Sequence, residues 1–369
     1  MLESRDSRGD TPLHICGWFG QYECAQLLLA KRATVTALNA KGQTPLHNAA
    51  WSGGPKVTEL FIANGGDMLY KDRHGATPLH LASANAQTET LQIMMRNGAR
   101  LDSRGEWGRT PLHMVALGEG DVYMAKFLID RRANIESKDE RNGDTVLHLA
   151  SEFGKQQLVE FLIDHGARLD STNRDGDTPL HRAALTNHSE VAALLLDRGA
   201  PAEKKRRFDG RNAFHVALAN HNVETARKIY EHFRTVATEV DDCGDNGLHL
   251  ACSIPYSDAL HELVQTMLND NSGFINEQNL RGETPLHIYC LNGDSVEILQ
   301  LLLNKGASNS ITNYSGSTPV EIADAAGKED FVTCLLGGSN EVLIEARKSS
   351  PVSEQQQQQQ RQQQIYIEE

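Results

Sequence analysis

Short apolar runs return along this chain in step: Leu27-Leu28-Leu29, Leu60-Phe61-Ile62, Phe127-Leu128-Ile129, Phe161-Leu162-Ile163, Leu194-Leu195-Leu196 and Leu301-Leu302-Leu303. Each follows a shorter, partly apolar stretch that ends near a glycine. In GDTPLHICGWFGQYECAQLLLAKRA, residues 9–33, Thr11 suits a helix N-cap and Pro12 the first helical position, where its missing N–H costs nothing. The pattern predicts a short helix that breaks at Gly20 and a second helix carrying Leu27 to Leu29. The polar segment that follows leaves room for a turn or hairpin, not for an inserted domain. Each helix pair has an apolar side and no partner within its own unit, so stacking on neighbours must bury it.

The start of the first helix is a repeated phrase. Thr-Pro-Leu-His begins at Thr11, Thr44, Thr77, Thr110, Thr178 and Thr284, with variants at Thr145 (TVLH), Asn212 (NAFH), Asn246 (NGLH) and Thr318 (TPVE). The ten starts are 33, 33, 33, 35, 33, 34, 34, 38 and 34 residues apart. In period and motif, residues 6–337 resemble the ankyrin-repeat family. The resemblance implies an all-α solenoid of about ten helix-turn-helix units joined by short β-hairpins or loops. It also implies a protein partner bound on the concave face, made of hairpin tips and the exposed side of each first helix.

Nine of the fifteen histidines occupy the fourth motif position: His14, His47, His80, His113, His148, His181, His215, His249 and His287. One histidine per unit makes a row, and metal ligands must converge on one point. No recurring carboxylate and nucleophile accompanies them. They are read as framework groups that bond backbone between repeats, and no metal or other cofactor is expected.

A net charge of −13 argues against a general nucleic-acid or anionic-membrane binder. No apolar stretch is long enough to span a bilayer, and the start, MLESRDSRGD, is polar. The six cysteines fit no zinc spacing, and Cys16, Cys252 and Cys290 fall where a small apolar residue belongs. A reducing, cytoplasmic setting is expected, with a nuclear one the alternative.

Only three tryptophans occur. Trp18 and Trp51 each lie four residues after a motif histidine, and Trp107 lies three before Thr110, at a hairpin tip. Phe19 adjoins Trp18, and Phe153 holds the corresponding place in the fifth repeat. The framework requires no particular residue in these slots, so they are candidate partner contacts. Covering the core near the chain's start is the competing reading for Trp18 and Phe19. Lys204, Lys205, Arg206 and Arg207 form the one strong basic cluster. It reads as a site for an acidic partner or phosphate, as a nuclear localisation signal, or as a solvated tip.

Without Thr and Pro, the first helices after Asn212 and Asn246 should start poorly, which places any flexible point between about residues 200 and 280. Near the N-terminus no dedicated cap is visible, so Leu13 and Ile15 should face solvent, and the chain is read as possible part of a longer protein. The last repeat carries Glu321 in place of the histidine. Residues 338–350 are expected to add a short capping helix, and the Gln-rich residues 351–369 a disordered tail. No P-loop, Gly-x-Ser-x-Gly or dinucleotide fingerprint occurs. The expected function is a monomeric, non-enzymatic scaffold or adaptor that binds another protein. The alternative is the recognition arm of a larger effector, such as a ubiquitin-ligase substrate receptor, a channel or an enzyme.

Overall fold

A computed structural model describes residues 2–119 and 122–337. The expectations for residues 338–350 and 351–369 lie outside the described residues. The chain divides into two compact units, Met1–Phe208 and Asp209–Glu369. Six helix pairs make up the first: Pro12–Phe19 with Tyr22–Ala30, Pro45–Ser52 with Pro55–Ala63, Pro78–Ala84 with Thr88–Arg96, Pro111–Leu117 with Val122–Ile129, Val146–Glu152 with Gln156–Asp164, and Pro179–Leu185 with Ser189–Asp197. The second unit has four pairs: Ala213–Ala219 with Val223–His232, Gly247–Ala251 with Asp258–Asp270, Pro285–Asn292 with Val296–Asn304, and Pro319–Ala325 with Glu329–Leu335. Among the described residues the only β pairing is an isolated bridge, Val240 to Asn246. The connections are therefore turns and loops rather than hairpin strands.

The histidines explain the motif. All nine are buried, none more than 1% exposed. His47 illustrates the arrangement. Its Nε2 faces the carbonyl oxygen of Ala76 in the next repeat at 3.1 Å, so that nitrogen must carry the proton. Its Nδ1 then accepts from the Thr44 backbone N–H (3.1 Å) and hydroxyl (2.9 Å). His14, His80, His113, His148 and His287 repeat both halves of this pattern, with carbonyl partners at Gln43, Arg109, Asp144, Asp177 and Ser317. Each ring starts its own helix and staples it to the following repeat. The motif threonine thus donates to its histidine while holding the N-cap place read from the sequence, its side chain and the histidine's forming a reciprocal capping box. Burial pushes these imidazoles below their ordinary pKa, to about 4 at His80 and His148.

A second set of links runs between the loops. An Asn or Asp five or six residues before the motif closes its own turn and reaches the residue just before the motif in the preceding repeat. Asn39 Oδ1 accepts from Lys41 and Gln43 N–H, and its Nδ2 donates to Asp10. Gln43 donates to Asp72, Asn173 to Asp144, and Asn279 to Asp245. Arg109–Asp139 at 3.5 Å and Arg211–Asp241 at 3.1 Å are charged versions. Chemistry alternates across every link, so each donor meets an acceptor.

Two local expectations are corrected. Leu13 is buried at 1% exposure, because its helix packs against Pro45–Ser52; only Ile15, at 42%, faces solvent. Asn212 and Asn246 do not leave their helices poorly started. Asn212 Oδ1 accepts from His215 N–H at 3.0 Å, and Asn246 Oδ1 from Leu248 and His249 N–H at 3.0 and 3.1 Å. At the last repeat Glu321 replaces the histidine in kind: its carboxylate accepts from the Thr318 N–H and hydroxyl at 2.7 and 2.9 Å.

Candidate partner-binding surface

Trp18 and Phe19 close the first helix, before Gly20 turns the chain at φ 64°. The next first helix approaches very closely there: a Cβ on Gly17 would lie 2.6 Å from the Pro45 carbonyl oxygen. Ser52 Oγ donates to the Gly17 carbonyl at 3.0 Å. Trp51, beside Ser52, therefore stands one repeat along from Trp18. Leu46, Ala49 and Ala50 turn into the core, and the tryptophans are left on the open side. Trp18 and Trp51 are each 40% exposed and Phe19 is 66% exposed.

The other two aromatics sit elsewhere. Phe153 follows Val146–Glu152 in the fifth repeat and is exposed. The equivalent places between it and Phe19 are Ser52, Asn85 and Gly118, so the aromatic row is interrupted. Trp107 lies on the fourth loop tip with φ 54°, and the Arg109 and Arg141 guanidinium carbons stand 4.7 and 4.5 Å from its ring centroid. Arg141 belongs to the lengthened loop between the fourth and fifth motifs.

Of the basic cluster, Arg206 is not available to a partner. Its side chain is 13% exposed and pairs with Asp177 at 2.9 Å, taking the place that Asn or Asp holds in other loops. It also lies over Phe208, 4.2 Å from the ring centroid. Lys204 donates to the Asp170 carbonyl at 2.9 Å, while Lys205 and Arg207 are exposed. Asp177 also faces Arg182 at 3.7 Å, and Arg182 pairs with Asp144 at 2.7 Å and Glu152 at 3.8 Å. Burial works to raise the Asp144 carboxyl, but Arg182 and Asn173 together hold it below the usual range. At Asp177 burial prevails and the pKa rises.

Sequence reasoning missed the scattered tip residues. Arg8, Lys41 and Arg73 stand exposed on three consecutive loops, each about one period apart rather than in a contiguous run. In the second unit, Leu280 and Tyr314 are 70% and 76% exposed on adjacent tips joined by the Tyr314 N–H to Arg281 carbonyl bond. The signal was their place three or four residues before each motif. Asp241, Cys243 and Asp245 approach closely enough to suggest a metal site. Their oxygens are engaged instead: Asp241 accepts from two backbone N–H groups and Arg211, and Asp245 from Asn279.

Stacked helix pairs with an open side of inner-helix ends and loop tips define a repeat platform, and the comparisons agree. A family profile described as ankyrin repeats (3 copies) matches residues 1–72, 46–139, 112–206 and 248–346, and the chain belongs to that family. It is similar to the tyrosine-protein kinase HTK16 of Hydra vulgaris, 39% identical over 79 residues, which are 21% of this chain and 10% of that protein. The NF-kappa-B inhibitor alpha of Gallus gallus is 31% identical over 99 residues, 27% of this chain and 30% of that one. The chain thus spans less than a third of these relatives. Among solved structures, the human ASB11 ankyrin repeat domain is similar at a TM-score of 0.54 and 25% identity, covering 60% of this chain and 98% of that one. The Bcl-3 ankyrin repeat domain matches at 0.51 and 27%, covering 62% and 100%. Among the described residues no helix is long and apolar enough to cross a membrane.

Proposed function

We propose that this chain is a monomeric, non-catalytic binding module that holds a protein partner against its inner-helix ends and loop tips. The observation that carries the reading is the exposure of Trp18, Phe19 and Trp51 on the first two repeats, because large aromatics standing free of the core are favoured at contact centres. Six unpaired cysteines support a reducing compartment, the cytoplasm. The test is affinity capture from cell lysate with wild type and with Trp18→Ala, Trp51→Ala and Trp107→Ala combined. Loss of captured protein with a nearly unchanged melting temperature is expected. Equal capture by both removes the aromatics from the site, and a collapse in stability makes them core residues.

A second reading, the recognition arm of a larger effector, is favoured by one observation: the matched segments are 10% and 30% of the relatives that carry them. Sequencing the transcript on both sides of this chain tests it.

A further inference from the structure

Each of the first three repeats carries an exposed cation on its loop tip: Arg8, Lys41 and Arg73. Backbone bonds stitch these tips together, Ala40 N–H to the Arg8 carbonyl at 3.0 Å and Arg73 N–H to the Lys41 carbonyl at 3.1 Å. The three cations therefore stand in file along one edge. Among the described residues none of the three forms an ion pair. The carboxylates of the same loops are engaged in holding them: Asp6 accepts from Arg8 and Asp10 N–H, Asp10 from Asn39, and the buried Asp72 from His74 and Ala76 N–H and Gln43. The file is interrupted at the fourth tip, where Glu106 faces His74 at 3.7 Å. Arg141, Arg174 and Arg207 stand exposed on the next three tips, but only the first file shares its repeats with exposed Trp18 and Trp51. Trp18, Phe19 and Trp51 stand on the inner helices of these same repeats.

We propose that this edge takes a short linear peptide segment in which an aromatic or aliphatic anchor is flanked by carboxylate side chains. The inference rests on the binding-module reading above and names the class of partner. The anchor covers the Trp18–Trp51 surface, and the carboxylates meet Arg8, Lys41 and Arg73. Packed helices lie roughly 8–10 Å apart, so three tips span about 20 Å, the reach of about six extended residues. A wholly apolar segment would leave these cations facing it without counter-charge. A nucleic acid offers bases to the tryptophans, but a chain of net charge −13 repels a long polyanion, while a short acidic peptide meets mainly the local cations.

The experiment selects a phage-displayed random peptide library on the full chain, then titrates the enriched peptide, fluorescein-labelled, by anisotropy. Enriched sequences should carry two or more acidic residues beside an aromatic or aliphatic one. Joint Arg8→Glu, Lys41→Glu and Arg73→Glu should weaken binding at least tenfold, and the Gln versions of the same sites should fall between. Trp18→Ala with Trp51→Ala should cost a similar factor. Far-UV circular dichroism should be unchanged in each variant, since the substituted groups are exposed. Neutral or basic enriched peptides, no enrichment, charge reversal within twofold of wild type, or tighter binding of a 20-nucleotide single-stranded DNA overturns the proposal. If charge reversal leaves lysate capture intact while the tryptophan variant abolishes it, the partner class is wrong and the binding module stands. If neither library nor lysate yields a ligand, the module reading itself falls.

Discussion

Mild acid should destabilise the first unit through its buried histidines. Folding holds the His80 and His148 pKa values at about 4, where an unfolded histidine titrates near 6.5. Below 6.5 the unfolded chain binds protons that the folded one refuses, so stability falls as pH drops from about 6.5 to about 4 and then levels off for these groups. Across the whole window each ring contributes about 3 kcal/mol, of which about 2 kcal/mol is lost by pH 5. The pair together forfeits about 4 kcal/mol, a large part of the 5–15 kcal/mol that typically holds a domain. His14, His47, His113, His249 and His287 shift in the same direction, each first through burial. The measurement is urea unfolding at about pH 7.5 and 5, followed by tryptophan fluorescence. Trp18, Trp51 and Trp107 all lie in the first unit with His80 and His148, so the signal reports that unit alone. His80→Gln with His148→Gln retains an acceptor and a donor but cannot titrate. The double variant should be less stable at pH 7.5 and should lose about 4 kcal/mol less than wild type on acidification. Equal losses in the two proteins would refute the argument.

Other expectations concern single contacts. Arg182→Ala strands Asp144 without its buried partner and should cost about 3–5 kcal/mol in the first unit by the same fluorescence assay. Gly17→Ala drives a methyl into the Pro45 carbonyl at 2.6 Å and should cost about 1–3 kcal/mol, read as a lower urea midpoint. Asn246→Ala removes the cap of Gly247–Ala251 and should cost about 1 kcal/mol, seen as faster hydrogen exchange at Leu248 and His249. Arg206→Ala should destabilise the sixth repeat by breaking its pair with Asp177, whereas Lys205→Ala should leave the unfolding midpoint unchanged.

Much of this was legible in the residues. A period of 33 to 38 held over ten motifs allowed hardly any architecture but stacked helix pairs. The exposed aromatics were legible too, as departures from a pattern that asks for nothing in their slots. Arg206 was not: beside Lys204, Lys205 and Arg207 it reads as one of four surface cations, yet its partner Asp177 lies 29 residues earlier. Arg8, Lys41 and Arg73 look unrelated until one period is subtracted from the next.

The sequence by itself determined the repeat, its helix starts and the framework place of the motif histidines, because the helix starts depend on neighbours within a few residues and the rest follows from a motif that returns every 33 to 38 residues. Only the tertiary structure decided which loop residues are spent on links between repeats and which remain open to a partner. Those links join groups about thirty residues apart, and stacking alone brings them within hydrogen-bond reach.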